Sequence, residues 1–394
     1  MTGEPSETLP RAGRGTAPRH LPLDGLKGLF ILPVVLSMLY VNSHLNDLFL
    51  VRQGGLFLDA FLVLAGYLFY RSARSRRDSG LSLPRYVQDR VAVFWPVPVL
   101  VLVGLAAFEG AYALYGNSFY FQGRAPFSQW TSIDYLPAQI GLVEAFVHDG
   151  PVHWNPATWS VGLIAWLSFL IGVVVYAVRR AGGIFLALIA LAAPLFLALS
   201  GLEGDAGLTP PPLRALYAAA LGATGAAFLP RADGRALDLD PLLLGLLQGG
   251  ALLGFLAFMA VLPSGLSTLL VAPAALGVIW LFARPGGIVA GWLALPFPVV
   301  LGRCSLALFT VMVFVQLRVR EVADLMALTF GKPAFSFPLN APGEPVHGSL
   351  FPMLGATPWQ GDAFVVIMLG VAFLIARALT DHLLLPLRQR LRRA

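Results

Sequence analysis

Two apolar stretches near the start of the chain decide the fold: LPLDGLKGLFILPVVLSMLY at residues 21–40 and GGLFLDAFLVLAGYLF at residues 54–69. The first stretch opens with Asp24 and Lys27, and the second carries Asp59 near its start. Ionisable side chains within membrane segments are costly, so they face the bundle interior or a polar cavity. We therefore expect Asp59 to be shielded from lipid and to pair with a cation. The candidate partners are Lys27, Arg52 and Arg303.

The amino-acid composition indicates a polytopic membrane protein. Hydrophobic residues make up 57% of the 394 residues and charged residues only 12%, whereas a soluble domain carries about twice that charged fraction. We predict an all-α integral membrane protein with about ten transmembrane helices in one bundle. The predicted spans are residues 24–44, 56–70, 91–115, 158–178, 183–200, 212–230, 241–262, 266–283, 297–317 and 363–385. The second and fifth are short for a span of about 20 residues, so we expect them to be tilted or partly re-entrant.

Basic residues are unevenly shared between the two sides of the predicted bundle. Eighteen lie on the side of both termini and six on the other side, which by the positive-inside rule places both termini in the cytoplasm. We divide the chain into a disordered cytoplasmic arm (residues 1–22), a membrane domain (residues 23–387) and a basic cytoplasmic tail (residues 388–394). The net charge of +6 then reflects the basic residues that orient the protein in the membrane. We predict a multi-pass protein of the plasma membrane with no nucleic-acid partner. Cys304 is the only cysteine, so we expect no intrachain disulfide and no metal site.

Two long connections are predicted on the outer side of the bundle, at residues 117–157 and residues 318–361. Loops of this length on a compact bundle are usually lids or docking surfaces. We expect them either to hold an acceptor substrate outside the membrane or to cap the bundle with amphipathic turns that face lipid.

The opening stretches resemble the motifs of the acyltransferase 3 family, integral-membrane acyltransferases that include bacterial O-antigen acetylases. The family's first motif, D-G-L-R-G/A-L, is matched by Asp24, Gly25, Leu26, Lys27 and Gly28. Its second motif is matched by Gly54, Gly55, Asp59, Phe61, Gly66, Tyr67 and Leu68. Later blocks are matched by Asn155, Pro156, Trp159 and Ser160, and by Leu301, Gly302, Arg303 and Ser305. The resemblance covers the chain in order and implies the same layout of ten helices.

The chain departs from the family at two positions that carry acid/base chemistry. Where the family has a histidine on helix one and a glutamate after the serine of the fourth block, this chain has Met38 and Ile164. Neither can deprotonate an acceptor hydroxyl, and we expect both to pack in the bundle core. Any transfer should then depend on His44 or His153. Counting along helix one places His44 about 25 Å from Lys27 and about 240° around the axis from Met38, in the outer mouth.

Arg85 and Arg90 precede the third predicted helix in the segment RYVQDRVAVFWP at residues 85–96. The resemblance implies that such arginines meet the phosphates of the acyl donor from the cytoplasm, which suits the guanidinium fork. Val93 occupies the place of the family's inner arginine. The alternative is that Arg85 and Arg90 extend to lipid headgroups.

The resemblance implies transfer of an acyl group from acyl-CoA, a co-substrate rather than a bound cofactor, to a hydroxyl of a sugar, lipid or metabolite. The first alternative is an inactive family member that binds an acyl lipid or a partner protein. The second is a transporter or flippase. Acid/base residues elsewhere in the bundle would favour the enzyme. An apolar centre beside Met38 and Ile164 would favour the binding protein, and a continuous polar path through the bundle would favour the transporter. The expected partners are membrane lipids, acyl-CoA and the acceptor, and the oligomeric state stays open.

Overall fold

The computed structural model describes residues 21–115, 125–147, 154–200, 210–229, 240–263, 265–336, 339–341, 344–345 and 353–393. In chain order the helices are α1 (Leu21–Ser37), α2 (Phe49–Arg52), α3 (Gly54–Asp78), α4 (Leu83–Phe94), α5 (Pro96–Tyr115), α6 (Leu136–Ile140), α7 (Glu144–Val147), α8 (Ala157–Ala177), α9 (Gly182–Ser200), α10 (Pro212–Phe228), α11 (Pro241–Val261), α12 (Val271–Phe282), α13 (Ile288–Leu293), α14 (Pro296–Phe330), α15 (Pro358–Leu379) and α16 (Leu385–Arg393). A 3-10 turn spans His44–Asp47, and a π-helical turn, Thr380–Leu384, joins α15 to α16. The arm predicted at residues 1–22 lies almost wholly outside the described residues.

Two pairs of short antiparallel strands follow α14. Strand β1 (Phe335–Ser336) pairs with β4 (Met353–Leu354), with Phe335 opposite Leu354. Strand β2 (Leu339–Ala341) pairs with β3 (Glu344–Pro345). These hairpin fragments lie within the connection that leads from α14 to α15, so the membrane-embedded part of the described chain is helical.

Seven helical stretches of the described chain are long and apolar enough to cross a membrane. They are Gly54–Asp78, Leu83–Tyr115, Ala157–Ala177, Gly182–Ser200, Pro241–Val261, Pro296–Ala327 and Pro358–Leu391. The prediction of an all-α, multi-pass membrane protein is therefore confirmed, whereas the total of about ten spans is not. The remaining predicted spans are short, because α1 and α10 have 17 residues each. At 1.5 Å per residue such a helix is about 25 Å long, a little less than the hydrocarbon core of a bilayer.

Proline sets where several helices begin. Pro96, Pro212, Pro241, Pro296 and Pro358 each stand at the first residue of a helix. A proline is well tolerated there because its missing N–H would have no intrahelical acceptor in any case. The segment predicted at residues 91–115 is consequently divided into α4 and α5 at the residue before Pro96.

The second predicted span, residues 56–70, is too short, whereas the fifth, residues 183–200, agrees with α9 to within one residue. Helix α3 has 25 residues because it continues past residue 70 through four arginines to Asp78. Helix α9 has 19 residues. Both are long enough to cross a bilayer, so neither needs to be re-entrant.

The first predicted span, residues 24–44, is too long. Helix α1 ends at Ser37, and the chain then runs beside β4. The Asn42 N–H donates to the Leu354 carbonyl at 2.8 Å, and the Leu354 N–H donates to the Tyr40 carbonyl at 3.2 Å. His44 is therefore not on helix one, and its predicted position by helical rotation from Met38 is wrong. Tertiary pairing with a strand far along the chain ends the helix here.

The predicted start of the long outer connection, residue 318, is also wrong. Helix α14 continues to Phe330, and Arg318 pairs with Glu321 one turn later at 2.5 Å. Charged side chains at i and i+3 are neighbours on a helix surface, so this polar segment extends the helix instead of ending it.

Helix α3 lies at the centre of the bundle, in contact with α1, α8, α10 and α12, while α14 packs on α1, α5 and α15. Glycines allow the closest crossings. A Cβ added at Gly66 would lie 2.0 Å from the Ala219 carbonyl oxygen, and one at Gly222 would lie 1.9 Å from that of Val63. Small residues of this kind let membrane helices approach at backbone distance. The motif-matched Gly66 therefore serves the α3–α10 crossing.

Candidate functional site

Asp59 is buried, with 4% of its surface exposed, and it pairs with Arg214 of α10. The Arg214 Nη2 and Nε atoms lie 2.6 and 3.0 Å from Asp59 Oδ2, and Nη1 donates to Thr268 Oγ1 at 2.9 Å. The expected burial and pairing of Asp59 are confirmed, but all three expected partners are wrong. Arg214 lies within the predicted span 212–230, and α10, which begins at Pro212, turns this side chain into the bundle. The pair ties α3 to α10 and to the turn before α12.

A large cavity opens at the end of the bundle where α3 ends and α16 lies, here called the basic end. It has a volume of about 1520 Å³. Among the described residues, nine cationic side chains line it: Lys27, Arg71, Arg74, Arg76, Arg85, Arg90, Arg303, Arg377 and Arg388. Four carboxylates accompany them: Asp24, Asp78, Asp89 and Asp381. This basic cavity therefore presents an excess of positive charge to any molecule that enters it.

The floor of the basic cavity is apolar and lies deep in the bundle. Phe61, Ala65 and Ile164 line it. Asp78 and Phe61, both lining residues on α3, are 17 residues apart, which corresponds to about 25 Å along the helix. Phe61 is in turn seven residues from Gly54, so the floor stops about 10 Å short of the opposite end of α3. The cavity thus has a charged mouth and an apolar interior.

Both predicted donor-binding arginines line this cavity. Arg90 is 6% exposed, donates to Ser72 Oγ at 3.0 Å and lies over the Tyr86 ring at 4.9 Å. Its buried Nε has no hydrogen-bond acceptor in the described structure. Arg85 donates to the carbonyl of Leu391 in α16. Arg90 therefore faces the bundle interior, which excludes the alternative that it extends to lipid headgroups.

Helices α1 and α14 supply further motif-matched residues to the cavity. Lys27 lies 3.7 Å from Asp24 one turn earlier, and Arg303 is an exposed lining residue. Ser305 donates its hydroxyl to the Gly302 carbonyl at 2.9 Å. Because that hydrogen bond stays within the helix, Ser305 serves the backbone of α14.

The two positions at which the chain departs from the family lie in different surroundings. Ile164 is buried on α8 and forms part of the cavity floor. Met38 is half-buried just beyond α1 and packs against the hydrophobic core. Both are packing residues, as expected, and Ile164 forms part of an apolar surface.

The fourth motif block forms the entry to α8. Asn155 donates its side-chain amide to the Thr310 carbonyl at 3.1 Å and accepts from the Ala157 N–H at 3.1 Å. The Trp159 indole donates to the Pro210 carbonyl at 3.2 Å, and Ser160 is fully buried. These contacts join α8 to α14 and to the segment before α10, so the matched residues hold the helices in place.

Glu144 is a buried carboxylate that the sequence reasoning missed. It lies on the short helix α7 and accepts hydrogen bonds from Thr158 Oγ1 at 2.8 Å and from the Gln139 amide at 3.2 Å. Gln139 accepts in turn from the Asn155 N–H at 3.2 Å. The only signal was one acidic residue within the apolar run LVEAFV at residues 142–147. The network satisfies polar groups at the start of α8, as buried polar groups require.

The described structure places one carboxylate–histidine pair at the end opposite the basic cavity. His44 Nδ1 lies 2.7 Å from Asp362 Oδ2, and Asp362 Oδ1 accepts from Ser43 Oγ at 2.5 Å and from the His44 N–H at 3.0 Å. The imidazole also packs edge-on against Trp359, with ring centroids 4.7 Å apart. Its side chain is 50% exposed. This geometry fixes the ring and leaves Nε2 available to an approaching group.

The second predicted base, His153, lies outside the described residues. Neither His44 nor Asp362 is among the lining residues of the basic cavity. Asp362 was missed because it lies on α15, 318 residues away from His44 in sequence. Comparison of the chain with protein-family models, with curated proteins and with solved structures returns no match.

Proposed function

We propose that this protein is a membrane acyltransferase similar to the acyltransferase 3 family, which takes acyl-CoA into the basic cavity and transfers its acyl group to a hydroxyl. The observation that carries the proposal is the lining of that cavity, which combines a cationic part with an apolar part. Nine cationic side chains of the described residues line it, whereas Phe61, Ala65 and Ile164 form its apolar floor. Acyl-CoA has the same division, with phosphates at one end and an acyl group at the other.

In the proposed orientation, the protein lies in the plasma membrane with its basic end facing the cytoplasm. The arginine-rich end of α3, helix α4 and helix α16 all lie at that end. Positive charge is enriched on the cytoplasmic side of membrane proteins. Acyl-CoA is a cytosolic metabolite, so its phosphates would meet the mouth of the cavity first.

The proposed chemistry assigns His44 as the base and Asp362 as its positioning residue. His44 Nε2 takes the proton from the acceptor hydroxyl, and the oxygen attacks the thioester carbonyl. The new C–O ester bond forms as the C–S bond breaks, and the CoA thiolate leaves and is protonated. The acceptor would be a sugar, lipid or metabolite that enters between the outer end and the cavity floor.

A second candidate function is binding of an acyl amphiphile without transfer. The separation between the cavity floor and the His44–Asp362 pair favours it, because about 10 Å of helix lies beyond the floor residue Phe61. Ile164 also makes the floor more apolar where the family has a carboxylate. The apolar floor is unlike the polar path that a transporter of polar solutes would need.

The test uses purified full-length protein in lipid nanodiscs, with CoA and a series of labelled acyl-CoA donors of increasing chain length. Each methylene buried on the floor contributes about 0.8 kcal/mol, so affinity should rise roughly fourfold per methylene until the floor is full. Ester formation is followed with lipid, sugar and alcohol acceptors. Tight binding with ester formation supports the acyltransferase, and chain-length-dependent binding without ester formation supports the second function. Affinity that does not depend on the acyl chain would contradict both.

A further inference from the structure

Two neighbouring side chains at the end of α12, here called the Trp280–Arg284 pair, each hold a buried N–H donor without an acceptor. The Arg284 guanidinium carbon lies 4.1 Å from the centre of the Trp280 ring. Arg284 Nε and Trp280 Nε1 are both buried and have no hydrogen-bond acceptor in the described structure. A buried donor without an acceptor is costly. An acceptor from outside the chain would therefore bind favourably at this place.

The positive charge of Arg284 is not neutralised by the part of the chain that the structure describes. No ion pair or hydrogen bond joins its guanidinium group to a described residue, and its charge is in contact only with the Trp280 ring. A cation over an indole ring is stabilised, but it keeps its full charge. Because the Nη atoms are not among the buried ones, this charge is accessible to an anion.

The pair lies at the basic end of the bundle but outside the basic cavity. Helix α13, which begins four residues after Arg284, packs on α1. A Cβ added at Gly25 of α1 would lie 1.9 Å from the Leu293 carbonyl oxygen, and the adjacent Asp24 lines the basic cavity. Neither Trp280 nor Arg284 is a lining residue of that cavity. The pair is therefore separate from the site at which donor binding is proposed.

The face of α12 that carries the pair continues towards the middle of the bundle as a narrow apolar surface. Four residues follow one another along it at intervals of four, three and four: Pro273, Gly277, Trp280 and Arg284. Residues at these intervals share one face of a helix. Pro273 and Gly277 are exposed, and a Cβ added at Gly277 would meet no atom within 4 Å. This face therefore has room for an acyl chain beside the two N–H donors.

Helix α13 places the level of the lipid headgroups close to Arg284. Ile288 and Trp292 are exposed and lie one turn apart on this short helix. Exposed apolar and indole side chains on one face are typical of helices that lie in the membrane interface. Because Arg284 is only four residues from Ile288, its guanidinium group lies near the phosphates of the same leaflet.

We propose that the Trp280–Arg284 pair binds the phosphate of an anionic phospholipid in the leaflet at the basic end, with one acyl chain along Pro273 and Gly277. Phosphate oxygens are strong acceptors for guanidinium N–H groups. Both side chains are half-buried, so a small rotation of each turns its N–H donor towards the headgroup. The lipid satisfies the two donors and neutralises Arg284. This inference is independent of acyl transfer.

The experiment titrates full-length protein in neutral detergent with phosphatidylglycerol and with phosphatidylcholine, and bound lipid is counted by native mass spectrometry. Phosphatidylglycerol should bind about fivefold more tightly, because its net negative charge is attracted to Arg284. Arg284→Gln should weaken its binding about tenfold, since a charge-assisted hydrogen bond is lost. Trp280→Phe keeps the ring without the N–H donor and should weaken binding about fivefold. Arg284→Lys should restore part of the affinity.

Arg179→Gln is the matched control, because Arg179 is an exposed arginine at the same end of the bundle. It follows α8, whose Val175 carbonyl accepts from Arg77 near the end of α3. Arg179→Gln should leave the Kd for phosphatidylglycerol unchanged. Equal affinities for wild type and Arg284→Gln would overturn the inference. An equal loss in Arg179→Gln would also overturn it, because net charge alone would then explain the binding.

A second arm separates a lipid headgroup from a free anion. Excess inorganic phosphate should not displace phosphatidylglycerol, because the acyl chain adds free energy of binding along α12. Displacement by phosphate would overturn the assignment of a lipid. Phosphatidylglycerol should also raise the midpoint of thermal unfolding in wild type and in Arg179→Gln, but not in Arg284→Gln. The same rise in all three proteins would contradict a site at Arg284.

Discussion

At the residue scale, the Asp59–Arg214 pair shows how this protein accommodates charge inside an apolar bundle. The Arg214 guanidinium donates to the Asp59 carboxylate through Nε and Nη2. Its Nη1 donates to the Thr268 hydroxyl. Each charge is buried only together with its partner. The stability of the pair therefore depends on both members being present.

Removing Arg214 alone should be much more damaging than removing both members of the pair. Arg214→Met leaves the Asp59 carboxylate buried without its cation and should destabilise the protein by about 3–5 kcal/mol. The double variant Asp59→Leu/Arg214→Met should recover most of that loss. Unfolding in detergent is the measurement. Equal losses in the single and double variants would show that the pair contributes through packing and not through charge.

The His44–Asp362 pair leads to a second prediction at this scale. If His44 is the base, His44→Ala should reduce acyl transfer at least about 100-fold. Asp362→Asn should also reduce it, because the imidazole loses the carboxylate that orients it, and Asp362→Glu should restore part of the activity. His382→Ala is the matched control, since this exposed histidine lies in the π-helical turn at the basic end. Donor binding should be unchanged in every variant.

Transfer at the wild-type rate by His44→Ala would refute this assignment of the base. A readout that does not need turnover is the rate at which His44 is modified by an acylating reagent. Asp362→Asn should slow that modification, because the carboxylate favours the tautomer in which Nε2 carries the lone pair. No change in the rate would limit Asp362 to a structural role.

At the element scale, the close crossing of α3 and α10 depends on glycines and not on large apolar side chains. Gly66 and Gly222 bring α3 and α10 to backbone distance. The same crossing carries the Asp59–Arg214 pair, so close approach and ion pairing stabilise the same two helices. Dispersion contacts between closely packed backbones are the main attraction available to helices within lipid.

Alanine at two helical glycines should therefore have opposite effects on stability. A methyl group at Gly66 would collide with the Ala219 backbone, and Gly66→Ala should destabilise by about 1–3 kcal/mol. Gly254 on α11 has no neighbouring atom within 4 Å of an added Cβ, so Gly254→Ala should be neutral or stabilise by up to about 1 kcal/mol. The measurement is the midpoint of unfolding for each variant. A loss at Gly254 equal to that at Gly66 would contradict the packing explanation.

At the scale of the whole molecule, the number of membrane crossings decides where the termini lie. An odd number, such as the seven long helices of the described chain, places the termini on opposite sides of the membrane. An even number places them on the same side, as happens if α1, α10 and the helix Leu266–Phe282 also cross. These three are short, but local thinning of a bilayer accommodates such helices at modest cost.

We expect both termini in the cytoplasm, because basic residues are concentrated on that side. The measurement is a topology reporter fused before residue 21 in one set of cells and after residue 393 in another. A fusion after Asp78, where the arginine-rich end of α3 lies, serves as an internal control for the cytoplasmic side. Opposite locations of the two terminal reporters would mean that at least one short helix does not cross.

The sequence by itself determined that this is a predominantly helical, multi-pass membrane protein and that Asp59 is buried. Hydropathy is summed over about 20 neighbouring residues and needs no knowledge of tertiary contacts. The free-energy cost of an unpaired charge in such a segment likewise follows from the apolar sequence around it.

Only the tertiary structure decided which residues meet. Asp59 and Arg214 are 155 positions apart, and His44 and Asp362 are 318 positions apart. Which of them touch depends on which helices are neighbours, on the rotation of each about its axis and on the residue at which each ends. Helix α1 ends at Ser37 because the following chain bonds to Leu354, and α16 turns Arg388 towards Asp89. These choices lower the free energy of the whole bundle, and no single segment contains the information that makes them.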